Sequence, residues 1–272
     1  MSLLFVKVAL APLITLIASL LGRRLGPRAA GVFVGLPGTA LPFLLTMYLM
    51  HGSDAAVATA TGGVTGQLTC VAFCIAYART APRLGPITAV LAAITVAIGL
   101  SFTTLALDDP YLTAALAIGA ILLGLRTWPR STEAAATAVD RWWAIPLRMT
   151  LATATVVGLA SLEPLLGTLV AGAMASLPSI LMVMGVADHW TRGPRPAVDL
   201  AGGTLSSIAG TVGFLLVVVS LTAHIGVWWA LALGLAVIPV LNRIVPALSA
   251  RIPSISWRRP FSGGRLVQAP LR

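Results

Sequence analysis

The sequence predicts an all-α, polytopic membrane protein, and three observations carry that expectation. Of its 272 residues 58% are hydrophobic and only 10% are charged, with a mean hydropathy of +0.96. A soluble domain does not carry that balance. Apolar runs long enough to cross a bilayer as a helix, about 20 residues each, recur along the chain. The arginines gather in alternate loops between those runs, as the positive-inside rule requires of a multi-pass protein.

Nine segments meet the length rule, near residues 3–21, 29–50, 54–78, 84–107, 111–127, 143–162, 168–190, 197–222 and 225–248. In the first, Lys7 interrupts the apolar run and Arg23 and Arg24 follow it with no small-residue cleavage site. It therefore reads as a retained helix rather than a secretory signal. The second and seventh are interrupted by glycine and proline, and the fifth is short. The loops after segments one, three, five and seven hold arginine, as does the basic tail 251–272, which touches anionic headgroups or serves only as a topology signal. The alternate loops, at 51–54, 107–109, 163 and 222–224, hold no Lys or Arg. The expected location is the plasma (cytoplasmic) membrane, multi-pass, with the N-terminus outside and the C-terminus cytoplasmic. The net charge of +10 is thereby a topology signal, and no nucleic-acid partner is expected.

Displacing the chain by 141 residues aligns AGVFVGLP (30–37) with AGAMASLP (171–178). The register runs without a gap from Lys7, which falls on Arg148, to about Ile98, and it pairs Gly52 with Gly193 and Phe73 with Phe214. Each copy holds four segments and the fifth lies between them. An odd number of intervening spans inverts the second copy. The expected organisation is a first four-helix repeat at 1–107, a linker helix and cytoplasmic loop at 108–141, an inverted second repeat at 142–250, and the tail at 251–272.

Paired helix interruptions in inverted repeats point to a midplane transport site, because opened helix ends expose backbone groups that lipid cannot satisfy. The candidate substrate-binding residues are Gly35, Pro37 and Thr39 in the first copy, with Ser176, Pro178 and Ser179 in the second. Both interruptions read equally as tolerated proline kinks, and Gly31-x-x-x-Gly35 as a helix-packing face. Lys7 and Arg148, one cation in the first helix of each copy, either snorkel to headgroups or flank an anion site. Without an obvious acidic neighbour they favour an anionic substrate. Gln67, Thr65, Ser206 and Ser207 line a polar path or cross-link helices. Asp188 and His189 cap and solvate a helix end, or form a proton-coupling carboxylate–imidazole pair. Asp54 reads as an N-cap. Cys70 and Cys74, one turn apart, read as packing residues, and no metal or cofactor motif appears.

Each half resembles the small GlpM-like membrane proteins: an early cation (Lys7, Arg148), a short polar turn, then AGVFVGLPGTALPFLL or AGAMASLPSILMV. The resemblance covers roughly 1–110 and 142–250. It implies about four spans per copy, membrane location and a link to exopolysaccharide production, and it supplies no catalytic residues. The four-plus-one-plus-four layout is also similar to fused, double-domain fluoride channels. Those use pore asparagines, whereas Asn242 is the only asparagine here.

The expected function is transport of an anionic small molecule or lipid-linked phosphate, with the lipid bilayer as surroundings and a homodimer compatible with the layout. A narrow anion channel and a non-transporting accessory subunit of an envelope biosynthetic complex are the alternatives. No convergent acid, base and nucleophile set argues for an enzyme.

Overall fold

The computed structural model describes residues 2–38, 40–104, 109–129, 145–146, 148–151, 153–154 and 178–251. Every described element is a helix: α1 (Ser2–Leu25), α2 (Pro27–Val34), α3 (Ala40–His51), α4 (Ser53–Thr80), α5 (Pro86–Thr104), α6 (Pro110–Arg126), α7 (Ser179–Arg192), α8 (Pro194–Ile225) and α9 (Val227–Arg251). Among the described residues four of these, α4, α5, α8 and α9, are long and apolar enough to cross a membrane. The protein is thus all-α and has the helices of a membrane protein. Of the nine expected spans, those near 54–78, 84–107, 197–222 and 225–248 correspond to these four helices. Expected segment two is instead the short helices α2 and α3, and α6 is a 17-residue apolar helix. Most of segment six and the first part of segment seven lie outside the described residues, as do residues 130–141 and 252–272.

The core is built around α8. Apart from Asp199, every residue from Pro196 to Leu215 is buried, as expected of a span packed on all sides rather than along one stripe. Its run of Ala, Gly, Ser and Thr keeps it thin enough for α2, α4, α7 and α9 to close on it. Packing of small residues is the main source of helix association where the surrounding lipid is as apolar as the side chains.

Helix boundaries repeat along the chain. α4 and α8 begin 141 residues apart, at Ser53 and Pro194; α5 and α9 begin at Pro86 and Val227, and α3 and α7 end at His51 and Arg192. Gly52 and Gly193 open α4 and α8 with φ of 84° and 87°, a left-handed conformation that L side chains avoid. Gly52, not Asp54, is therefore the N-cap of α4. Asp54 lies in the first turn, where its charge complements the helix dipole.

Candidate functional site

Two sets of residues stand out, the break between α2 and α3 and a polar cluster near the ends of α4 and α7. At the break, Pro37 has no amide to donate and its ring opposes helical continuation. The chain turns through Leu36 N–H to Phe33 O (3.2 Å) and Gly38 N–H to Leu36 O (2.7 Å), and α3 starts with Leu41 N–H to Pro37 O (3.0 Å). The carbonyl of Gly35 is met from α8, by the Thr211 hydroxyl at 2.8 Å. Thr204 donates to Gly31 O at 3.1 Å, sharing its hydroxyl with Leu200 O.

Here α2 and α8 touch backbone to backbone. A Cβ on Gly31 would collide with the Leu200 carbonyl and the Thr204 amide, one on Gly35 with Ser207 Oγ, and one on Gly203 with the Arg28 carbonyl. The Gly31-x-x-x-Gly35 face is thus a packing face, and Ser207 belongs to it. Ser206 and Ser207 donate to the carbonyls of Gly203 (2.7 Å) and Thr204 (3.1 Å) of their own helix. Both are buried. Thr211→Val keeps the shape but removes the donor to Gly35. It should lower stability by about 1 kcal/mol, read from thermal unfolding of detergent-purified protein.

Of the remaining sequence candidates, Pro37 is buried and Gln67 half-buried on α4. Pro178 is the N-cap of α7 and Ser179 its first residue. Thr39, Ser176 and the side chain of Lys7 lie outside the described residues. The side-chain carbonyl of Asn242 accepts from Gly210 N–H at 2.9 Å, pinning α9 to α8. Cys70 and Cys74 are free thiols, Cys74 fully buried. Among the described residues no group of three or more His, Cys, Asp or Glu could hold a metal.

The second set answers the question of Arg148. Its Nη2 donates to Asp188 Oδ1 at 2.9 Å, and the two side chains are 4% and 5% exposed. The expected absence of an acidic neighbour is corrected: Asp188, at the far end of α7, faces the arginine across the bundle. Asp188 is consequently a buried ion-pair partner rather than a solvated helix-end group. Arg192, one turn on, brings Nη1 within 3.9 Å of the same oxygen.

Next to the pair, the Tyr77 hydroxyl donates to Gly185 O at 3.0 Å and lies 3.4 Å from His189 Nδ1. Tyr77 stacks on Phe73 and meets the imidazole edge-on. Tyr77 was not among the sequence candidates. Its signal was a phenol inside an apolar segment, which must find a hydrogen-bond partner when buried.

His189 also faces outward. With Trp190, residues 85–88 at the start of α5 and residues 193–194, it lines a groove of about 420 Å³ at the end of the bundle that bears Arg192 and Arg195. Arg195 lies 4.0 Å from Asp199 on the first turns of α8.

Comparison with known proteins finds no matching family model, no matching curated protein and no matching solved structure.

Proposed function

We propose that this chain is a multi-pass transporter of the plasma membrane, built from two inverted four-helix halves, that carries an anionic or phosphate-bearing substrate between them. The observation that carries this reading is the buried Arg148–Asp188 pair. Ionisable groups inside an apolar bundle are costly and, where kept, mark substrate or ion pathways.

The duplicated organisation is supported by the 141-residue recurrence of helix boundaries. The buried faces recur as well: Ala56 and Ala197, Ala60 and Ala201, Val64 and Leu205, Val71 and Val212, and Phe73 and Phe214 all have side chains almost wholly removed from solvent. α4 and α8 are thus the equivalent central helices of the two halves, and they pack on each other. The break of the first half rests on α8 of the second, so a sliding of one half against the other must remake the contacts of Gly31 and Gly35. With the N-terminus outside, the polar cluster lies toward the cytoplasm and Lys7 toward the exterior.

One observation favours a second reading. Asp188 meets the charge of Arg148, so the pair could serve as a structural pin in a non-transporting accessory subunit. Thermal stability against inorganic phosphate, small organic anions, nucleotides and polyprenyl phosphates separates the two. A bound member of the panel at 100 times its dissociation constant stabilises the fold by about 2.7 kcal/mol. That gain should vanish in Arg148→Met/Asp188→Leu. No stabilisation by any of the panel would favour the accessory subunit.

A further inference from the structure

Arg126 closes α6, and its guanidinium is only partly matched. Nη1 donates to Ser249 O on α9 at a long 3.4 Å, while Nε and Nη2 are buried and meet no acceptor. These two nitrogens form one edge of the planar group, the fork that takes two oxygens of a carboxylate or phosphate. An arginine that only balances the dipole of a helix C-terminus, or snorkels, keeps its charged head in water. Here two donors are withdrawn from water with nothing in exchange, which is costly until an acceptor arrives. The described carboxylates do not supply one. Asp188 and Asp199 pair with Arg148, Arg192 and Arg195. Asp54 and Asp109 stand at the starts of α4 and α6, about 25 Å or more along those helices from Arg79 and Arg126.

A second guanidinium is held beside the first: Arg79 Nη2, at the end of α4, donates at 2.8 Å to the hydroxyl of Thr127, the residue after Arg126. The helix surfaces leading to this corner are apolar, with Leu123 on α6 58% exposed and Ile244 and Leu248 on α9 46% each. We propose that this corner binds the headgroup phosphate of an anionic phospholipid, gripped by the Arg126 fork with Arg79 beside it. The acyl chains then lie along the exposed leucines and isoleucine of α6 and α9. Arg126 is half-buried, so its fork sits just under the surface. A turn about its terminal bonds, at the expense of the long Ser249 contact, presents the fork outward. Headgroups lie where apolar helices end, so a lipid meets this site at a local concentration that free phosphate does not reach. A zwitterionic lipid brings a cation with its phosphate, whereas an anionic one brings the net charge that two arginines attract. The inference needs only a membrane around these helices and stands apart from the transporter reading.

The test titrates full-length, delipidated protein in detergent with phosphatidylglycerol, phosphatidylcholine or inorganic phosphate, and counts bound lipid by native mass spectrometry. The expected result is saturable binding of phosphatidylglycerol, tighter than that of phosphatidylcholine and not displaced by inorganic phosphate. Arg126→Gln should weaken it about tenfold or more, the loss expected of charge-assisted hydrogen bonds. Arg126→Lys keeps the charge without the fork and should lose affinity several-fold. Arg24→Gln removes an exposed arginine at the end of α1 and should leave binding unchanged. Phosphatidylglycerol held no more tightly than phosphatidylcholine, or displaced by inorganic phosphate, overturns the proposal. So does wild-type affinity in Arg126→Gln, or an equal loss in Arg24→Gln, which would mean diffuse surface charge. Should Arg126→Gln fail to fold, Arg126→Lys decides, and wild-type affinity there rejects the fork.

Discussion

Asp188→Ala is expected to destabilise the protein by about 3–5 kcal/mol, the usual cost of removing one partner of a buried ion pair. The size follows from burial: Arg148 Nη2 sits 2.9 Å from Asp188 Oδ1 with both side chains about 95% hidden. Without the carboxylate, the guanidinium loses its 2.9 Å ion-pair contact in a region from which water is largely excluded. Arg192, at 3.9 Å, cannot compensate, since it carries the same sign. Removing both charges has a different result. Arg148→Met/Asp188→Leu should recover most of the loss, because a well-packed apolar pair is often as stable as the ions it replaces. Thermal unfolding in one detergent, across wild type, Arg148→Met, Asp188→Leu and the double, reads the coupling. A double variant as unstable as Asp188→Ala would mean that packing, not charge, dominates the site.

The second large effect lies at the helix break. Gly31→Val should cost about 3 kcal/mol, the upper end of ordinary overpacking. Its new carbons meet the Leu200 carbonyl and the Thr204 amide. Backbone cannot rotate aside as a side chain can, so α2 must move off α8, and the Thr204 to Gly31 hydrogen bond goes with it. Gly62→Val on α4 is a control, since a Cβ there meets nothing within 4 Å. Equal loss from the two would contradict a close α2–α8 contact.

Much of this architecture was legible in the sequence because it depends on neighbours in the chain. The start of the third apolar segment was placed at 54 and α4 begins at Ser53. The glycines and prolines of GLPGTALP announced a break, and the helix is broken there. Turn chemistry and apolar length are local properties. Contacts between distant segments left no such trace. Asp188 lies 40 residues from Arg148 and sits beside arginines that read as a solvated helix end, so its partner was invisible. Tyr77 meets Gly185 across 108 residues. The serines of α8 illustrate the same gap. LAGGTLSSIAGT is polar enough to suggest a path, yet its hydroxyls are spent on carbonyls of α8 and, through Thr204 and Thr211, on those of α2.

Uptake into proteoliposomes tests the central claim most directly. Labelled inorganic phosphate, small organic phosphates and carboxylates would be offered to vesicles holding wild type or the Arg148→Met/Asp188→Leu protein, with the stability of each already known. The account predicts saturable entry of at least one of these anions through the wild type and its loss in the folded double variant. Entry no faster than through protein-free vesicles for every anion, or equal entry through both proteins, would contradict it.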